Sequence, residues 1–310
     1  MLKKIVFMGT PLFAVPILKS LYQNGYPVSV VYTQPPQKSQ RGQKINKSPI
    51  QGICETLKIE CRTPSSLKNN KEEYNYLKEL DADIAIVVAY GQILPKEYLS
   101  LVKKGFINIH ASLLPKWRGA APIQRSIMNL EKETGVSIMK IREKLDTGPI
   151  CNSYKIEIMG DDNLETISEK LSAIAAEKIL DNIDNILEDK IKFKEQNHNE
   201  ASYAAKIEKT EGQIEWRETA ENIIGKINGL YPSPGAFFTY NGERYKILKA
   251  SLAVGNGEIG EVLDNYLEIS CGNKKSIKVL EIQRQGKRSQ SIGEFMLGSQ
   301  IKKGSNLNNA

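Results

Sequence analysis

The sequence predicts an α/β chain in which a doubly wound, mostly parallel sheet is followed by a small β-barrel. Two observations predict the sheet: continuous apolar runs of strand length, residues 83–89 and 106–110 among them, and their alternation with helix-length amphipathic stretches. Strands that are apolar on both faces need cover on both faces, the condition of a parallel sheet wrapped by helices. A third observation predicts the barrel. Beyond about Asp189 the apolar segments become brief and are separated by glycines and Asn-Gly pairs.

In chain order, residues 3–8 read as a buried first strand. Gly9, Thr10 and Pro11 end that apolar run too early for a signal peptide, and no small-residue cleavage site follows. A helix is expected over 13–22, a β-branched strand over 28–33, and helices over 49–57 and 71–80. After the strands at 83–89 and 106–110, residues 120–130 read as helical, 135–141 as extended and 164–187 as a long amphipathic helix. Residues 189–206 are polar and non-periodic and are expected to form a linker. Beyond it come an extended stretch at 213–216, a helix near 220–228 and short strands at 235–240, 245–250, 260–263, 267–270 and 276–283. Asn241-Gly242 and Asn256-Gly257 read as hairpin turns. The OB type is one candidate for the barrel, and residues 301–310 are expected to fray. The domains expected are 1–188 and 207–310.

Composition narrows the function. The 310 residues are 40% hydrophobic and 25% charged, which excludes a disordered chain. No apolar run reaches the roughly 18–20 residues that span a bilayer. Cys54, Cys61, Cys151 and Cys271 form no CxxC pair, so neither metal-ligand spacing nor a disulfide framework is present, and a cytoplasmic location is expected. The net charge of +7 is concentrated at the front: residues 1–50 hold Lys3, Lys4, Lys19, Lys38, Arg41, Lys44 and Lys47 and no Asp or Glu. Four of those cations fall within residues 33–48, a polar segment that reads either as a solvated loop or as an arm meeting a polyanion.

Asn108 and His110 stand at the carboxyl end of a predicted strand, where open α/β sheets bind ligands. Their i, i+2 spacing lets both side chains point to one place. Asp146, in the loop after another extended segment, can reach that place from a second direction. An amide, an imidazole and a carboxylate converging there suit acyl transfer to an amine: N–H groups hold a developing oxyanion, and the carboxylate orients the imidazole and collects a proton. Taken alone, a histidine at a strand end is as a rule structural, and an Asp-Thr-Gly triplet is as a rule a turn. His198, the other histidine, lies in the polar linker, so no metal site is expected.

The surrounding string decides between these readings. Asn108-Ile109-His110-Ala111-Ser112-Leu113-Leu114-Pro115, continued by Trp117-Arg118-Gly119-Ala120-Ala121-Pro122, resembles the signature of folate-dependent formyltransferases, and Leu145-Asp146-Thr147-Gly148 resembles their second block. Met8-Gly9-Thr10-Pro11, Thr33-Gln34-Pro35 with Arg41-Gly42, the Val87-to-Pro95 string and Tyr231-Pro232-Ser233-Pro234 extend the likeness through both halves. The resemblance implies a Rossmann-like catalytic domain over 1–188, a linker over 189–206 and an OB-like, tRNA-binding domain over 207–310. It implies a formyl group passed from 10-formyltetrahydrofolate to the α-amino group of methionine esterified to initiator tRNA, by a monomer that needs no metal. Asn108 and His110 would bind the formyl oxygen, and Asp146 would pair with His110 and help move the proton. Folate would lie against Ser112, Leu113, Leu114 and Pro115, with its pterin near Ala89, Tyr90 and Gly91. Arg41 would reach tRNA bases, with Lys38, Lys44 and Lys47 on the backbone. The segment departs from the family at Pro36, where an Asp is usual. A formyltransferase acting on a nucleotide-linked amino sugar is the nearest alternative, disfavoured by the basic insertion. Glycinamide ribonucleotide formyltransferases are expected to end where the second domain begins. A catalytically dead nucleic-acid binder would not need the intact triad, and a dinucleotide oxidoreductase would need the absent GxGxxG.

Overall fold

The computed structural model describes residues 3–38 and 45–308. Its contacts divide into two compact units: residues 1–119, 135–156 and 168–203 form one, and residues 120–134, 157–167 and 204–310 the other.

In the first unit, β1 (Ile5–Gly9) is buried along its whole length, as a continuous apolar run requires. It leads into α1 (Val15–Gln23), where Val15, Ile17, Leu18 and Leu21 turn inward. Each aliphatic side chain so removed from water contributes roughly 1.5–3 kcal/mol. β2 (Val28–Tyr32) pairs with β1 in parallel. The basic segment then forms a short antiparallel ribbon, β3 (Gln37–Lys38) on β4 (Ile45–Asn46), where sequence periodicity gives no strand signal. α2 (Pro49–Leu57) starts where the Ser48 hydroxyl accepts the Gln51 N–H at 3.0 Å, and it ends on Lys58 with φ 57°. β5 (Cys61–Arg62), α3 (Lys71–Leu80), β6 (Ile84–Val88), β7 (Phe106–His110) and β8 (Arg118–Gly119) follow. After α4 (Pro122–Met128), which belongs to the second unit, come β9 (Glu133–Lys140), β10 (Ile150–Glu157), α5 (Leu164–Leu187) and β11 (Tyr203–Ala204).

The main sheet has the order β10-β9-β7-β6-β1-β2-β5. β1 pairs in parallel with β2 and β6, and β6 with β7, while β9 runs antiparallel to β7. The predicted mostly parallel, doubly wound sheet is therefore present. On α5, Ser172 Oγ donates to the Phe13 carbonyl, and Ser20 Oγ on α1 donates to the Ala176 carbonyl, each at 2.7 Å.

In the second unit, α6 (Ala220–Leu230) lies against α4 through Gly225 and Gly229. A Cβ on Gly225 would come within 2.7 Å of Leu130 Cδ2, and one on Gly229 within 2.6 Å of Met128 Cγ. β12 (Ala236–Tyr240) turns through Asn241 (φ 50°) and Gly242 (φ 74°) into β13 (Glu243–Ala253), the predicted two-residue hairpin. With β14 (Glu268–Ser270), β15 (Ser276–Arg284) and β16 (Ser289–Ser291), these strands make a five-stranded antiparallel sheet, followed by α7 (Ile292–Met296). Register shifts around Lys249 on β13 curl it, so the second half is a curled antiparallel sheet. Its core holds Trp216, Phe238 and Tyr245, the last two stacked at 5.4 Å.

Two expectations are corrected. Asn256-Gly257 closes no hairpin: β13 ends at Ala253, β14 begins at Glu268, and the Gly257 N–H is held by Ser270 Oγ at 3.2 Å. Of the predicted tail, the described residues 301–308 are not frayed. Ile301 and Leu307 are buried, and the Val262 N–H donates to Ser305 O at 2.9 Å and the Leu307 N–H to Gly260 O at 2.8 Å. Two apolar anchors and those bonds fix a stretch whose composition reads as a tail. Among the described residues no helix is long and apolar enough to cross a membrane.

Candidate active site

β7 brings Asn108 and His110 to one side of the sheet, and the loop joining β9 to β10 brings Asp146 to meet them. His110 Nδ1 lies 3.7 Å from Asp146 Oδ2, with side-chain exposures of 7% and 10%. Asn108 Nδ2 donates to Asp146 Oδ1 at 3.4 Å. The predicted convergence of amide, imidazole and carboxylate is thus the observed arrangement. At this depth the three groups act on one another through little water.

The other contacts define the protonation pattern. His110 Nε2 faces the Trp117 carbonyl at 3.0 Å. A carbonyl only accepts, so Nε2 carries the hydrogen and Nδ1 is the nitrogen turned toward Asp146. Asp146 Oδ2 also accepts the Gly119 N–H at 2.8 Å. Residues 117 and 119 therefore hold the imidazole and the carboxylate from one short segment.

Backbone strain gathers around the same place. Ala89 (φ 47°), Trp117 (φ 60°) and Asp146 (φ 50°) all occupy the left-handed region that side chains disfavour. Gly148 explains how tightly the Asp146 loop closes: a Cβ there would sit 1.8 Å from the Lys140 carbonyl oxygen. The Lys140 N–H donates to Pro149 O at 2.9 Å, closing the base of the loop.

The residues expected to meet folate lie beside this centre. Ser112 is fully buried, and its carbonyl accepts from Ser137 Oγ at 2.7 Å. The Leu114 N–H donates to the same Ser137 Oγ at 3.0 Å, and the Leu113 carbonyl accepts the Lys116 N–H at 3.1 Å. Pro115 O accepts the Ser202 N–H at 3.4 Å. Much of this main chain is therefore already engaged within the chain. Tyr90 points its ring into the core at 2% exposure, and burial pushes its phenol pKa up. Its carbonyl accepts from Thr10 Oγ1 at 2.7 Å, and the Gly91 carbonyl from Gln34 Nε2 at 2.9 Å. Any contact from Tyr90 to a ligand is left to its main chain.

Of the expected tRNA contacts, Arg41 and Lys44 lie outside the described residues, and only the backbone of Lys38 is described. Lys47 is exposed and paired with Glu55 at 2.6 Å. Beside this segment a cavity of about 400 Å³ is lined by Thr10, Gln34, Gln37, Asn46, Lys47 and Ser48, among others. Among the described residues no group of three or more His, Cys, Asp or Glu could hold a metal ion.

Sequence reasoning assigned no role to Gln196, which is 7% exposed and donates from Nε2 to the Asp146 carbonyl at 2.9 Å and the Gly148 carbonyl at 2.7 Å. No periodicity marks it, because its partners lie 50 and 48 residues away. Arg118 was legible only as a letter of the signature, yet it is 2% exposed and reaches the same glutamine.

Comparison with known proteins identifies the family. The Formyl transferase family matches residues 3–183, and the family Formyl transferase, C-terminal domain, matches residues 206–300. A protein of Pelagibacter ubique named methionyl-tRNA formyltransferase is 72% identical over 309 residues, covering 100% of each chain. One of the same name from Caldanaerobacter subterraneus is 42% identical, covering 98% of this chain and 99% of its own. Among solved structures, an N-formyltransferase from Helicobacter canadensis, in complex with folinic acid and dTDP-3-aminofucose, superposes with a TM-score of 0.68. At 23% identity, covering 92% of this chain and 100% of that one, it shares the fold. With matching domains across both halves and Asn108, His110 and Asp146 gathered at one sheet edge, the chain belongs to the formyl transferase family and is a formyl-transferring enzyme.

Proposed function

We propose that this enzyme transfers the formyl group of 10-formyltetrahydrofolate to the α-amino group of methionyl-initiator-tRNA, giving N-formylmethionyl-tRNA for translation initiation. The observation that carries the choice of acceptor is the 72% identity, over the full length of both chains, to a protein named for that reaction. The structural likeness to the Helicobacter canadensis N-formyltransferase stands at 23% identity and supports only the shared fold.

The residues act as follows. The α-amine, with a pKa of roughly 8 or below, is partly neutral near pH 7 and attacks the formyl carbon. The carbonyl oxygen gains charge as the carbon becomes tetrahedral. Asn108 Nδ2 carries two hydrogens, and its 3.4 Å bond to Asp146 leaves the second for that oxyanion. His110 joins it when the Nε2–H turns from the Trp117 carbonyl to the formyl oxygen. The nitrogen that attacked sheds a proton, which Asp146 and His110 Nδ1, 3.7 Å apart, receive between them. The C–N bond to the folate nitrogen then breaks, and that nitrogen takes up a proton as tetrahydrofolate leaves. Folate lies along residues 112–115 and 89–91, chiefly on main chain. Arg41, with Lys38, Lys44 and Lys47, meets the tRNA end from the basic arm, and residues 207–310 form an OB-like domain that adds backbone contacts. The enzyme works as a cytoplasmic monomer.

The test is a competition for the formyl group. Purified enzyme and 10-formyltetrahydrofolate are offered methionyl-initiator-tRNA or a nucleotide-linked amino sugar. Formylation of the aminoacyl-tRNA alone is expected; turnover of the sugar alone overturns the proposal.

A further inference from the structure

The acid of the site is held by a device outside the triad. Asp146 sits at φ 50°, a left-handed conformation that a non-glycine residue keeps only where its surroundings impose it. Gln196 imposes it from the main-chain side, donating Nε2 to the carbonyls of Asp146 (2.9 Å) and Gly148 (2.7 Å) on either side of Thr147. Gln196 is in turn fixed by Arg118, whose Nε and Nη2 both donate to Gln196 Oε1, at 3.1 and 2.6 Å. Arg118 Nη2 also meets His198 Nδ1 at 3.0 Å. Arg118 is 2% exposed, and these acceptors are a neutral amide and an imidazole nitrogen rather than a carboxylate. A buried guanidinium served in this way is an expensive arrangement for a purely structural purpose.

The geometry around Arg118 gives the reason. Residue 117 accepts from His110 through its carbonyl, and residue 119 gives its N–H to the Asp146 carboxylate. The segment is itself anchored: the Trp117 N–H donates to Ser202 Oγ and the Arg118 N–H to Ser202 O, both at 2.9 Å. One tripeptide therefore sets the imidazole, the carboxylate and, through Arg118 and Gln196, the main chain that carries the carboxylate.

We propose that Arg118 and Gln196 are positioning residues for the formyl transfer, with Gln196 acting through Asp146 and Arg118 acting through Gln196. Their catalytic consequence rests on the proposed function; their effect on Asp146 does not.

Gln196→Glu separates the two jobs of the glutamine. The carboxylate still accepts from Arg118, so the buried guanidinium keeps a partner and the fold is retained. The two donors to the Asp146 loop are lost, and a negative charge faces two carbonyl oxygens. Since a misplacement of about 1 Å costs on the order of 10²-fold in rate, kcat is expected to fall about 10- to 100-fold. KM for folate and for methionyl-tRNA should stay within about twofold, and the midpoint of thermal unfolding within a few degrees. A crystal structure of the variant should show Asp146 displaced from φ 50° and from the Gly119 N–H, a readout that needs no substrate. An unmoved Asp146 overturns the proposal, as does a kcat within twofold of wild type. Absence of wild-type turnover on methionyl-tRNA would instead count against the proposed function and leave the crystallographic arm intact. If Gln196→Glu does not accumulate as folded protein, Gln196→Asn, with the amide one methylene short, carries the same measurements and the same outcomes.

Discussion

Replacing Asp146 with Asn removes the charge from the centre while keeping shape and an acceptor oxygen for the Gly119 N–H. The loss can be worked from the geometry. Whenever His110 is an imidazolium during the reaction, Asp146 Oδ2 stands 3.7 Å from Nδ1. At an effective dielectric of about 20, two unit charges at that separation attract by about 4.5 kcal/mol. Part of this is recovered by the amide dipole, so the expected fall in kcat is on the order of 10²–10³. Because the term arises only as charge develops, KM for both substrates should hardly change. The assay is single-turnover formylation of methionyl-tRNA at saturating 10-formyltetrahydrofolate, beside a thermal melt showing that the variant is folded. A folded Asp146→Asn variant within tenfold of wild type refutes the electrostatic role, and a raised KM with unchanged kcat assigns Asp146 to binding.

Other consequences can be measured independently. Gly148→Ala would drive a Cβ to 1.8 Å from the Lys140 carbonyl, so the loop must shift; a loss of about 1–3 kcal/mol of stability and of most activity is expected in denaturation and turnover assays. Arg41→Ala should raise KM for the tRNA severalfold with kcat for bound substrate kept, which steady-state kinetics at two salt concentrations would show. Among the cysteines, the Cys54 thiol donates to Cys61 and lowers its pKa, and Cys61 is half-buried rather than enclosed. Burial instead pushes Cys151 up to about 11 and Cys271 up to about 12. The thiolate is the reactive form, so iodoacetamide near pH 7.5 should label Cys61 first by peptide mapping, and its labelling should persist to lower pH than that of the other thiols.

Much of the catalytic half was legible because local pattern and burial agree there. Residues 49–57 and 164–187 carry helical periodicity, and α2 and α5 have those bounds. The run at 106–110 is apolar except where Asn108 and His110 interrupt it, and that interruption marks the candidate site. β10 escaped notice because it is an edge strand with three of its eight residues exposed and none buried, so Cys151, Asn152, Ser153 and Lys155 give no apolar alternation. Residues 301–310 read as a frayed tail because large apolar side chains are sparse there, yet the two among the described residues, Ile301 and Leu307, are both buried. Asn241-Gly242 and Asn256-Gly257 look alike in sequence; the first joins two strands long enough to pair, and the second has no second strand within reach. The hold of Gln196 on Asp146 links residues 50 apart through main-chain carbonyls, which every residue possesses, so side-chain identity gave no sign of it.

In the proposed function, Asn108, His110 and Asp146 form one formyl-transfer centre serving an aminoacyl-tRNA. Its most direct measurement compares purified wild type with His110→Ala for production of N-formylmethionyl-tRNA from 10-formyltetrahydrofolate, with the melting curve of each recorded. Turnover by wild type, and its loss by at least about 10³-fold in a folded His110→Ala enzyme, is the predicted result. A folded variant that formylates methionyl-tRNA at the wild-type rate would contradict it.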